Sequence, residues 1–271
     1  MLTIDWKERL TLDTEDYLEH KLPNHDYDFE IIFIAYPERV NGKIPSEVVS
    51  FVSNVIVQRL KRKHKDYIPF YKHLWENKGD YGKIAFGTIM SKLTHKSPEI
   101  YIPLMEEMMR EADASQINSL LDKVMLPLLR KHSEKYLHKL YDWTKSNNQD
   151  ISKAALNLAI KLIKRREDLM ADIMKHLQNL WVYPLGDLQS MHVQFLKTVA
   201  KLSQDSYLEV WKEFGISRDP QIVELLCASI VDYDAALEAP VELWTKSGNA
   251  RVKKAGLSAH KMLIRKKGAK A

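Results

Sequence analysis

Trp143–Arg166 reads WTKSNNQDISKAALNLAIKLIKRR, and 101 residues later Trp244–Lys267 reads WTKSGNARVKKAGLSAHKMLIRKK. Ten of the 24 paired positions are identical, among them Trp143/Trp244, Asn148/Asn249, Lys153/Lys254, Leu156/Leu257 and Ile163/Ile264. Self-similarity at a fixed spacing implies stacked copies of one supersecondary unit. The first copy places Ile151, Ala154, Ala155, Leu158, Ala159 and Leu162 at i, i+3, i+4, i+7, i+8 and i+11, one face of an α-helix. Val252, Ala255, Gly256, Ala259 and Leu263 repeat that spacing. Ser146-Asn147-Asn148 and Ser247-Gly248-Asn249 precede the two helices and supply residues that cap free N–H groups. Ala154-Ala155 and Ala255-Gly256 leave room for a close neighbour, and the two tryptophans end the preceding helix and pack over the turn.

Weaker copies of the pattern lie elsewhere. Helices are expected over 81–93 after Asn77–Asp80, over 116–129 after Ala112–Ser115, over 188–202 after Tyr183–Asp187, and over 222–230 after Ser217–Gln221. The turns recur every 30 to 37 residues or so, and no stretch alternates with period two, so the chain reads as all-α: a right-handed α-solenoid of about six or seven HEAT-like helical hairpins. The expected organisation is one domain over 1–271, with an acidic helical cap at 1–45, repeats over 46–264 and a basic tail at 265–271.

Charge is unevenly spread. Residues 1–50 hold 5 Lys/Arg against 11 Asp/Glu, and the remainder holds 36 against 25. A basic solenoid suits a polyanion, because each neutralised phosphate releases condensed counterions; a solvated lysine-rich surface is the alternative. The candidate DNA contacts are Lys153 and Lys254, at equivalent places near two helix starts, with Arg251, Lys253, Lys161, Lys164 and Arg165. Trp181 and Tyr183 are candidates for stacking on bases, with core packing as the competing role.

The lone cysteine, Cys227, lies in the apolar run Leu225–Ala228 and reads as core, which excludes a disulfide framework and a thiolate cluster. Neither His132/His138 nor His20/His25 has the i, i+4 spacing of a helical metal pair, so no metal site is expected. There is no GxGxxG, Walker or GxSxG motif, and no cofactor is expected. The first ten residues lack a cationic start followed by an apolar stretch, and no 18-residue apolar run occurs. A cytoplasmic, membrane-free, monomeric protein is the expectation.

Several motifs, in order over roughly residues 40–215, resemble the AlkD-type DNA alkylation repair glycosylases, a HEAT-like repeat family. Val40–Glu47 resembles the glycine-containing start of an early helix, and Leu74-Trp75 followed by 81–93 resembles the leucine–tryptophan pair and alanine-rich helix that come next. Tyr101–Met108 resembles the helix before the active segment, and Ser206–Trp211 a late helix start. Trp143–Asn148 with Lys153-Ala154-Ala155 resembles the family's tryptophan, serine, asparagine and Arg-Ala-Ala run. The resemblance implies duplex DNA as partner. It also implies a helical aspartate opposing charge on the departing sugar, and tryptophans flanking the lesion. By position, that aspartate falls on Asn118, the two tryptophans on Ala114 and Gln194, and the arginine on Lys153. A neutral amide cannot oppose an oxocarbenium-like charge, so the chemistry is expected to be lost or altered, unless Asp122, one turn beyond Asn118, takes the role. The alternatives are a protein-binding scaffold without catalysis and a glycosylase using that relocated carboxylate.

Overall fold

The computed structural model describes residues 5–19, 29–77 and 79–270, without the side chains of residues 77, 269 and 270. The expectations that involve His20, His25, Lys78, the Lys270 side chain and Ala271 lie outside the described residues. Those described are all-helical, apart from a single bridge between Val40 and Lys43. The chain divides into two compact units, Met1–Lys131 and His132–Ala271. The division falls where the helix α7 (Leu126–Thr144) bends: His132 has φ −138° and ψ 42°, outside the helical region.

In the first unit α1 (Trp6–Leu18) packs on α2 (Ser46–Leu60), and α2 on α4 (Gly79–Lys96). The helix α4 is central and also meets α3 (Ile68–Asn77), α5 (Pro98–Met109) and α6 (Ala114–Leu120). Its apolar positions Ala85, Phe86, Ile89, Met90 and Leu93 are fully buried. Asp113 opens α6 with a reciprocal capping box to Gln116. The helical run expected over 116–129 is present but interrupted, because Leu121–Met125 forms a π-helical turn.

The second unit contains α8 (Gln149–Ile163), α9 (Met170–Gln178), α10 (Gln189–Leu202), α11 (Gln204–Phe214), α12 (Pro220–Ser229), α13 (Glu238–Thr245) and α14 (Ala250–Lys270). α8 packs on α10, α10 on α12, and α12 on α14, while α11 contacts both α10 and α12, and α13 packs on α14. The two sequence copies are therefore α8 and α14 with the turns before them. The expected caps form in both: Asn148 Oδ1 accepts from the amides of Asp150 and Ile151, and Asn249 Oδ1 from those of Arg251 and Val252. Trp143 and Trp244 are buried, and the Trp244 indole donates to the Ser217 carbonyl in the turn before α12 at 2.9 Å.

The small pair in the second copy works as the spacing requires. A Cβ on Gly256 would lie 2.8 Å from the backbone of Trp244 and Thr245, so α13 and α14 touch there through glycine. Residues 265–270 of the expected basic tail form the last turns of α14.

Candidate nucleic-acid interface and other clefts

Cationic side chains are concentrated in the second unit, with 22 lysines and arginines against 16 carboxylates; the first unit holds 19 against 20. The helix α14 alone carries eight cations and no carboxylate.

Lys153 and Lys254 are each the fifth residue of their helices, α8 and α14, as their sequence equivalence requires. Their surroundings differ. Lys153 Nζ lies 4.0 Å from Asp187, in the short 3₁₀ turn Gly186–Leu188 before α10, and the Gln149 amide donates to the same carboxylate at 2.9 Å. Lys254 and Lys253 are exposed. Arg251 reaches across to α12 and donates twice to Glu224, at 2.9 and 2.7 Å, while Gln189 donates to the same carboxylate at 3.4 Å. Arg251 holds the Glu224 carboxyl below its usual range, with Gln189 and the charge of Lys254 adding to the effect against partial burial. Arg251 thus braces α14 against α12, and Lys253 and Lys254 stand exposed beside it.

Lys161, Lys164 and Arg165 are exposed at the far end of α8. At 1.5 Å of rise per residue they lie about 12 to 18 Å along the helix axis from Lys153. α8 thus carries cations at both ends, not in one cluster. Of the two stacking candidates, Trp181 is 1% exposed and its indole donates to His192 Nδ1 at 3.1 Å, a core role. Tyr183 is 65% exposed, leaving its ring open to solvent. Gln194, at the family's second tryptophan position, lines an open depression with Asp187, Gln189, Val193, Lys197 and Ala228.

In the first unit the Asn118 amide donates to the Ala114 carbonyl at 2.7 Å, tying the side chain to its own helix. Asp122 lies in the π-helical turn. Hydrogen bonds there close over five residues, so the i, i+4 register linking Asn118 to Asp122 is loosened. The same segment instead contributes Ser115, Ser119 and Lys123 to a cleft of about 310 Å³, together with Lys43, Trp75, Asp80, Tyr81 and Lys83. Lys43 and Asp80 pair at 3.0 Å, an interaction that raises the lysine pKa and lowers that of the carboxyl. Lys83 sits over the Trp75 ring, 5.7 Å from its centroid.

Sequence reasoning missed this cleft, though its three lysines recur at steps of 40 residues. It also missed Asp187 and Glu224, the acidic partners that decide which cations stay available. Among the described residues no group of His, Cys, Asp and Glu could hold a metal ion, and no helix is long and apolar enough to cross a membrane. No protein-family model, curated protein or solved structure matches the chain.

Proposed function

We propose that the protein is a HEAT-like helical-repeat protein, an α-solenoid that binds duplex DNA through the backbone phosphates using the cationic face of its second unit. The observation that carries this reading is the recurrence of a lysine at one structural place, Lys153 on α8 and Lys254 on α14, in a unit with an excess of six cations. Lys254 is exposed and Lys153 half-buried; a lysine near a helix start adds its charge to the positive end of the helix dipole, and both favour phosphate. Lys253, Lys161, Lys164 and Arg165 extend the contact, Tyr183 is the base-stacking candidate, and Arg251 positions α14. Base excision by the route of the AlkD-type family is not part of the proposal: the aspartate position is an amide bonded to its own helix, and one tryptophan position is Ala114.

The test is fluorescence anisotropy of a labelled duplex at low salt with the wild type and the Lys153→Glu/Lys254→Glu variant. The reading expects the charge reversals to weaken binding at least about tenfold; equal affinity in both would overturn it.

A second reading, a protein-binding scaffold, is favoured by one specific observation: Leu257 and Ile264 on α14 are 44% and 58% exposed. An apolar face suits a protein surface better than a phosphate backbone.

A further inference from the structure

The internal repeat allows α14 to be compared with α8 position by position. One stripe is buried in both: Ile151/Val252, Ala155/Gly256, Leu158/Ala259 and Leu162/Leu263. A second stripe is not. Gln149, Lys153, Leu156, Ile160 and Ile163 follow one another at i, i+4, i+7, i+11 and i+14, hence on one face of α8. There Leu156 and Ile163 are fully buried, in a helix that packs on α10. At the polar end of the stripe Gln149 and Lys153 meet Asp187, just before α10. The matching stripe of α14 is Ala250, Lys254, Leu257, Lys261 and Ile264. It keeps the identical leucine and isoleucine, yet exposes them.

Side chains that bury a helix interface in one copy stand uncovered in the other, flanked by Lys254 and Lys261. The missing cover therefore has a definable chemistry: a helix with an apolar side chain between carboxylates, as Asp187 serves Lys153. α14 itself is excluded, since two copies would oppose eight cations each. Among the described residues, the large hydrophobics exposed on α-helices are Leu243, Leu257 and Ile264 on α13 and α14, and Leu12 on α1, which is 51% exposed. Leu12 shares one face of its helix with Glu8 and Glu15, at i, i+4 and i+7, and Glu19 follows at the C-cap; Glu15 also pairs with Arg59. Residues 1–50, which include α1, carry the acidic excess of the chain.

We infer that the open stripe of α14 docks a second copy of this chain through the outer face of its α1, in a head-to-tail contact. Leu12 lies against Leu257 and Ile264, and the glutamates face Lys254 and Lys261. Such a head-to-tail contact uses both surfaces of each copy, and the assembly either closes on itself or continues as an open chain. The inference is separate from the DNA reading, with which it would compete for Lys254, because its central contacts are apolar positions that phosphate would not use.

The experiment is sedimentation velocity of the full chain without DNA, from about 1 to 100 µM, a range matched to small, weak interfaces. The mass is expected to rise from 31.6 kDa with concentration and to fall back as salt is raised. Leu12→Glu alone and Leu257→Glu/Ile264→Glu alone should each remain monomeric with unchanged circular dichroism. Mixing the two variants should restore a one-to-one dimer that grows no further, since each variant retains one intact end. A wild type that stays monomeric throughout, association untouched by either variant, or a mixture that fails to pair would overturn the proposal.

Discussion

At the scale of single residues, function and stability turn on what each group touches. Gly256 has backbone of the preceding helix 2.8 Å from where a Cβ would stand. Gly256→Ala is therefore expected to cost about 1 to 3 kcal/mol by overpacking, read from urea unfolding, despite the better helix propensity of alanine. His192 is 1% exposed and accepts a hydrogen bond from Trp181, and burial, with a smaller contribution from His176, holds its pKa down to about 4. The unfolded chain takes up that proton near pH 6.5 and the folded chain does not. The stability contribution is thus full above about pH 6.5, is lost as pH falls toward 4 and is flat below, a change of at most about 3 kcal/mol. Denaturation midpoints measured across that range should show the decline, and His192→Phe should flatten this part of it. Cys227 is buried, and burial pushes its thiol up to about 12. A thiol reagent should label it only on unfolding; rapid labelling of the native protein at pH 8 would contradict a core role.

At the scale of elements, the two helix starts read from the sequence form as expected because their signals are local. Asn148 and Asn249 are each followed by the amides they cap, within three residues. Asn249→Ala should lower stability by about 1 kcal/mol, and Asn148→Ala by a similar amount; differential scanning calorimetry that shows no loss in either would refute the capping assignment. The apolar period placed α4, α8, α10 and α12 for the same reason. What the sequence did not disclose depends on residues far apart or on small departures from regularity. The bend at His132 adds no residue type that marks it, and the π-helical turn at Leu121–Met125 is signalled only by Pro127, two residues on. Trp181 could be core or surface from spacing alone, and only its contact with His192, 11 residues on, decides it. Arg251 pairs with Glu224, 27 residues away and on a different helix, a contact that spacing along the sequence does not show.

At the scale of the whole molecule, charge is the property that separates the two units, and it was legible from composition alone. The acidic first 50 residues and the basic remainder were visible before any fold was known, whereas the exposure of Leu257 and Ile264 was not, since their identical counterparts Leu156 and Ile163 are core. If the second unit binds duplex backbone, the interaction is with phosphates and is largely indifferent to sequence. Two duplexes of unrelated sequence should then compete equally, and alkylated DNA should keep its bases, measured as free base released over hours. Release that disappears in Asp122→Asn would instead place a relocated carboxylate at work.

The most direct test of the central claim is the salt dependence of duplex binding. The logarithm of the association constant should fall linearly with the logarithm of salt concentration, losing an order of magnitude or more between about 50 and 200 mM. The slope should be shallower in Lys153→Glu/Lys254→Glu. Absence of binding at 50 mM salt, or binding with no salt slope, would contradict phosphate recognition by this face.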